Sequence, residues 1–124
     1  MAYITVEFEG GAETLFDFEY HENMPEKSMD SLGCWVTGGA KRKFRIRLLT
    51  NPTTAGHLLY WMRLSLRCKR PDILFDASEY PSSAGLQPGF LVVINDVDWE
   101  VNGREKAEIK EGDTVCIIST VHGG

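Results

Sequence analysis

The sequence predicts an α+β fold in which a mixed sheet packs on one main helix, with a long loop inserted. Three observations carry this expectation. Residues 3–8 alternate apolar and polar side chains, the pattern of a half-buried strand. Residues 55–68 repeat their apolar positions at helical spacing. Residues 90–95 and 114–118 are apolar, β-branched runs bounded by turn residues, which read as strands. A chain of 124 residues suits one domain with one core, expected to span 1–124.

Each element follows from its own residues. In the first strand Ile4, Val6 and Phe8 share one face, and Tyr3, Thr5 and Glu7 the other. Gly10-Gly11 is a hairpin turn signal, and Thr14-Leu15-Phe16 reads as the returning strand, so the chain is expected to open on a β-hairpin. From 18 to 43 neither period holds, and Gly33, Gly38 and Gly39 add breakers. That stretch is expected to be an inserted, mobile loop with Cys34-Trp35-Val36 as its apolar island. Phe44, Ile46 and Leu48 alternate with Arg45 and Arg47, which gives a further strand.

Asn51-Pro52-Thr53-Thr54 turns the chain into a helix N-cap. The helix runs to about residue 68 and buries Leu58, Leu59, Trp61, Met62 and Leu66. Arg63, Arg67 and Lys69 load its last turns, where the helix dipole favours cations, and Pro71 stops it. Ile73-Leu74-Phe75 is a short apolar patch. The Pro88-Gly89 turn delivers the apolar run 90–95, expected at the centre of the sheet. Asn102-Gly103 turns the chain, Ala107 and Ile109 anchor a short segment, and Glu111-Gly112-Asp113 turns into the final strand. With that strand beside the first and one helix across a mixed sheet, the arrangement is a β-grasp.

Composition narrows the function classes. The net charge is −5, and an acidic chain is poorly suited to phosphate backbones, so no direct nucleic-acid binding is expected. Asp96, Asp98, Glu100, Glu105, Glu108, Glu111 and Asp113 crowd the C-terminal third. They either present an acidic face to a basic partner or form an ordinary solvated surface. Cys34, Cys68 and Cys116 form no CxxC pair and share no ligand spacing with His21, His57 and His122, so reduced thiols and no metal are expected. No apolar run has the length of a membrane span or a signal-peptide core, which makes the expected location cytoplasmic.

The run from 114 onward closes on His122-Gly123-Gly124. Two glycines carry a bare α-carboxylate on a stalk that can thread a narrow channel. Residues 120–124 are expected to be a flexible tail, with Gly124 as the reacting end and Gly123 and His122 giving access. A frayed terminus is the plainer alternative. In the final strand Val115 and Ile117 should face the core, and Cys116, Ile118 and Thr120 outward. Ile118, with Thr120 and Val121, is then a partner-binding candidate, or a scattered apolar residue on a sheet face. Cys116 reads as packing, Trp99 as a half-buried structural residue, and His57 as a surface residue. No grouping of nucleophile, base and acid stands out, so the chain is not expected to be an enzyme.

Three stretches carry a resemblance. Val6-Glu7-Phe8-Glu9-Gly10-Gly11-Ala12-Glu13-Thr14-Leu15-Phe16, the segment from Pro88 to Glu100, and Ile117-Ile118-Ser119-Thr120-Val121-His122-Gly123-Gly124 are similar to ubiquitin-related modifier 1 proteins. The Asn-Asp-x-Asp-Trp-Glu stretch and the Ser-Thr-x-His-Gly-Gly ending make it specific. Gly-Gly alone would also fit ubiquitin, molybdopterin-synthase small subunits or the thiamin sulfur carrier. The likeness fails between 18 and about 43, where that family's usual connection is shorter. It implies a ubiquitin-like sulfur carrier that binds no cofactor itself. An E1-like enzyme with a rhodanese domain would spend ATP to adenylate Gly124, and a persulfide would convert the adenylate to a thiocarboxylate. A tRNA thiolation complex would pass the sulfur to the wobble uridine. The same activated carboxyl group could be joined to lysines of target proteins. Two rivals differ in class: a β-grasp interaction module that makes no chemical use of its C-terminus, and a small thiol enzyme built on Cys34 or Cys68 with a histidine.

Overall fold

The alternating start of the chain forms strand β1 (Ala2–Glu9), with Ile4, Val6 and Phe8 buried. The computed structural model describes residues 2–15, 34–37, 42–48, 52–65, 69–76 and 84–120. The last strand, β10 (Thr114–Ser119), lies parallel to β1, with Val6 opposite Val115 and Phe8 opposite Ile117. Parallel neighbours need a long crossover. Helix α1 (Ala55–Ser65) lies in that crossover.

The main sheet has six strands in the order β2-β3-β1-β10-β7-β8. Here β2 is Cys34–Thr37, β3 is Arg42–Leu48, β7 is Phe90–Ile94 and β8 is Val97–Asp98. Two short ribbons flank it. One pairs β4 (Thr53–Thr54) with β9 (Glu108–Ile109), the other β5 (Phe75–Asp76) with β6 (Gly85–Leu86).

Helix α1 starts where the sequence places its cap. The His57 N–H donates to Thr54 Oγ1 at 3.1 Å, which satisfies one of the first-turn donors. Leu58, Leu59, Trp61 and Met62 are buried in one cluster with Ile4, Val6, Phe8, Val115 and Ile117. Each such side chain removed from water contributes about 1.5–3 kcal/mol, so this single cluster supplies the main driving force for the fold. Leu66 and the expected helix end near 68 lie outside the described residues. A one-turn helix, α2 (Pro71–Leu74), follows, with Pro71 in its first turn and Leu74 buried.

The structure differs from the sequence reading in three places. The first concerns the hairpin. Ala12–Leu15 is a 3-10 turn, not a returning strand. Its cause is local: the Gly11 carbonyl accepts from the Thr14 N–H at 3.1 Å and from Thr14 Oγ1 at 2.6 Å, while the Gly11 N–H donates to Glu13 Oε2 at 2.9 Å. Side chains that satisfy the nearby backbone compete with ladder formation. The strand antiparallel to β1 is β3, in register from Ala2 opposite Leu48 to Phe8 opposite Arg42. The insertion therefore sits inside the hairpin connection.

Second, part of the expected loop is strand. The apolar island becomes β2, paired antiparallel with β3 from Cys34 opposite Ile46 to Thr37 opposite Lys43. β3 begins at Arg42, so it also takes the last residues of that expected loop. Pairing with β2 satisfies the edge that β3 would otherwise leave open. The rest of the expected loop lies outside the described residues. Third, β7 is not central. The middle of the sheet belongs to β1 and β10, and β7 buries Val92 and Ile94 on one face while Phe90, Leu91 and Val93 are only half-buried.

One glycine is dictated by its surroundings. Gly10 has φ +67°, and a Cβ there would lie 2.6 Å from the Ser119 carbonyl oxygen. Gly10→Ala is predicted to cost more than about 1–2 kcal/mol, the left-handed strain alone, because the backbone must also move. Chemical denaturation measures this, and a wild-type midpoint would contradict it.

Candidate functional site

The site is built around the two ends of β10. Its start is held by a buried carboxylate. Asp113 is 6% exposed, and both of its oxygens are used: Asn95 Nδ2 donates to Oδ1 at 2.8 Å, and the Lys110 N–H donates to Oδ2 at 2.9 Å. Asn95 Oδ1 in turn accepts the Thr114 N–H at 2.9 Å. Asn95 and Asp96 carry φ values of 51° and 67° in the turn between β7 and β8, a conformation Asn and Asp tolerate. The network thus ties two turns to the first residue of β10. A buried polar group in a low dielectric needs such partners.

The far end of β10 is held differently. Ser119 pairs with Phe90, and the ladder with β1 ends at Ile118 opposite Glu9. Beyond both ladders, the Thr120 N–H donates to the Gly89 carbonyl at 2.8 Å and Thr120 Oγ1 donates to the same oxygen at 3.0 Å. Gly89 has φ +99° in the turn before β7. On the other flank stands the Gly10 turn, packed against the Ser119 backbone.

The residues singled out in the sequence separate into distinct environments. Thr120 is exposed. Ile118 is half-buried rather than exposed, with Leu91 opposite it on β7 and its Cγ2 beside Gly10. Val121, His122, Gly123 and Gly124 lie outside the described residues. Cys116 alternates away from the core as expected, yet it is buried at 9% exposure. Its cross-strand neighbours Glu7 and Val93 flank it on both sides. Metal-ligand atoms of Glu7, Glu9 and Cys116 lie within 4.8 Å of one another. Two carboxylates and one thiol make a weak set beside the four Cys and His ligands of structural zinc sites.

Trp99 is buried, not half-buried, with the Arg104 guanidinium 5.1 Å from its ring centroid. Asp96, Asp98, Glu100, Glu108 and Glu111 are exposed and Glu105 half-buried, but Asp113 belongs to the interior and leaves the acidic face. His57 is exposed and lines a cleft of about 400 Å³ at the start of α1, with Thr54, Lys106 and Glu108. Arg70 and Asp72 form an exposed ion pair at 3.1 Å. Their hydrogen bond raises the guanidinium above its ordinary pKa and lowers the carboxyl below its own. Among the described residues, no helix is long and apolar enough to cross a membrane.

Comparison with known proteins decides the family. The family described as Urm1 (Ubiquitin related modifier) matches residues 3–124. The chain belongs to the ubiquitin-related modifier family. A ubiquitin-related modifier 1 homolog of Chlamydomonas reinhardtii is 33% identical over 124 residues, covering 100% of both chains. The human ubiquitin-related modifier 1 is 31% identical over 121 residues, 98% of this chain and 94% of that one. The solution structure of Urm1 from Trypanosoma brucei aligns with a TM-score of 0.64 at 29% identity, covering 99% and 96% of the two chains. The crystal structure of an Rurm1-related protein from Plasmodium yoelii, at 18% identity and a TM-score of 0.65 over 97% and 98%, shares the fold. Membership makes the chain a small ubiquitin-like modifier of β-grasp fold rather than an enzyme. A modifier family implies an activating enzyme and target proteins.

Sequence reasoning did not find the two anchors of β10. The Pro88-Gly89 turn signal is local and Asn95 reads only as the end of the apolar run 90–95, whereas the bonds to Thr120 and Asp113 span 31 and 18 residues. Asp113→Ala is predicted to cost about 1–3 kcal/mol, because it strands the Asn95 amide and the Lys110 N–H. Urea denaturation gives the loss, and amide exchange should locate it at the start of β10. An unchanged midpoint would contradict the network's role.

Proposed function

We propose that this modifier is a sulfur carrier whose reacting group is the α-carboxylate of Gly124. The observation that supports the reading most is the end of β10. A strand from the centre of the sheet reaches a twice-bonded, exposed Thr120, and the sequence then continues for four residues to Gly123-Gly124. The family match extends through residue 124.

The chemistry belongs to a partner, an E1-like enzyme that carries ATP and a sulfurtransferase domain. A Gly124 carboxylate oxygen attacks the α-phosphorus of ATP. The bond to the β,γ-phosphates breaks, and pyrophosphate leaves with the electron pair, giving an acyl-adenylate. A persulfide sulfur on the enzyme then attacks the acyl carbon and expels AMP. A second enzyme thiol cleaves the resulting acyl disulfide at its S–S bond. The thiocarboxylate is released and the enzyme is left as a disulfide. Gly123 and His122 give access to the channel, and Ile118 and Val121 contact the partner. A tRNA thiolation complex consumes the sulfur for wobble uridine, and lysines of target proteins are alternative acceptors for the activated carboxyl group, forming isopeptide bonds. The competing reading is a β-grasp interaction module whose C-terminus has no chemical role.

Deletion of Gly124 separates the two. One residue of extended chain is about 3.3 Å, and misplacement by about 1 Å already costs on the order of 100-fold. ATP–pyrophosphate exchange with the activating enzyme is therefore predicted to fall by at least about 100-fold, with an unchanged melting temperature. Activation at the wild-type rate would favour the interaction module. The exposed carboxylates of Asp96, Asp98, Glu100, Glu108 and Glu111 are predicted to steer the encounter with the activating enzyme. Its association rate should fall as salt rises, because screening sets in beyond about 8–10 Å. A rate independent of salt would contradict steering.

A further inference from the structure

We propose that Thr120 is a positioning residue for the terminal carboxylate: its two bonds to the Gly89 carbonyl fix where the rigid body ends and hence how far the tail reaches. The inference rests on the reading of Gly124 as the activated end. Thr120 is the first residue past both ladders of β10, so no strand pairing holds it. Its placement depends on one carbonyl, which accepts from the Thr120 N–H at 2.8 Å and from Oγ1 at 3.0 Å. A carbonyl has two lone pairs and can take both. The backbone bond is available to any residue but proline. The second bond requires a hydroxyl.

The opposite flank is closed as well. Gly10 puts a bare Cα against Ser119, where a Cβ would lie 2.6 Å from the Ser119 oxygen and 3.3 Å from Ile118 Cγ2. The residues at the root of the tail are therefore held between two glycine turns, one on each side. β-Branching at Thr120 further restricts χ1 and so aims the hydroxyl. Four residues follow Thr120, which reach at most about 14 Å when extended. If the hydroxyl bond is lost, one exposed backbone bond remains and opens more often, and whenever it opens the root retreats toward Ser119. The tail then gains about 3.3 Å of reach and more conformations, neither of which suits an acceptor that tolerates about 1 Å.

The test uses the full chain with its activating enzyme and ATP–pyrophosphate exchange. Thr120→Val keeps the shape and removes the Oγ1 donor. Thr120→Ser keeps the donor. Val is expected to lower kcat about threefold to tenfold, the weight of one ordinary hydrogen bond, with KM for the modifier and the melting temperature unchanged. Its Thr120-position amide should exchange faster with solvent. Ser is expected to restore kcat. Wild-type kcat in Thr120→Val, alongside a Gly124 deletion that is inactive, would overturn the positioning role and leave the sulfur-carrier reading intact. A raised KM at constant kcat would make Thr120 a docking contact, and a lowered melting temperature with proportionate loss would make it structural; both overturn the proposal. A Gly124 deletion that is activated normally would remove the reading itself.

Discussion

The parallel pairing of β1 with β10 is the constraint on which the rest of the structure depends. It joins residues from the two ends of the described chain and lines up Val6 with Val115 and Phe8 with Ile117. Those side chains bury together with Leu58, Leu59 and Met62 of α1. Because the strands are parallel, the chain between them must cross over, and a helix in that crossover can cover the sheet. The same pairing decides what surrounds the end of β10. The turn after β1 arrives beside it because the strands are parallel, and the turn before β7 arrives on the other side because that pair is antiparallel. Both turns carry a glycine at positive φ, Gly10 and Gly89. β10 thus ends in the middle of the sheet, between two turns placed by topology.

Division of labour follows from this arrangement. The chain belongs to a family of modifiers, and under the proposed function its own contribution is presentation: a root anchored at Thr120 and, in the sequence, a small-residue end. Cys116 forms no disulfide and is buried, so it does not resemble the accessible thiolate that thiol chemistry requires. Cys34 lies on β2, at the edge of the sheet, and Cys68 lies outside the described residues. The rival built on a thiol enzyme is set aside by family membership rather than by these positions.

What the sequence revealed depended on whether the deciding interactions were local. The alternation of residues 3–8, the Thr54 cap and the stripe of Leu58, Leu59 and Met62 are short-range patterns, and the structure carries each of them. The partner of β1 is a competition between distant segments. Thr14-Leu15-Phe16 had the nearer turn, but β3 offers a register seven residues long from Ala2 to Phe8, and the Gly11 carbonyl is already used by Thr14. The burial of Cys116 and Asp113 depends on neighbours from other strands and turns, which strand alternation alone does not supply. The anchor at Thr120 was visible only as a threonine in a motif, because its acceptor lies 31 residues away. The resemblance to the family rested on three separate segments, 6–16, 88–100 and 117–124, and the family match spans residues 3–124.

The central claim is that Gly124 leaves the activating enzyme with sulfur in place of one carboxylate oxygen. Intact mass spectrometry of the full chain, incubated with the E1-like enzyme, ATP and a persulfide donor, tests it most directly. A sulfur carrier gains a mass equal to the difference between sulfur and oxygen, located in the C-terminal peptide and absent without ATP. An unchanged mass after verified adenylation, or sulfur found on a cysteine instead, would contradict it.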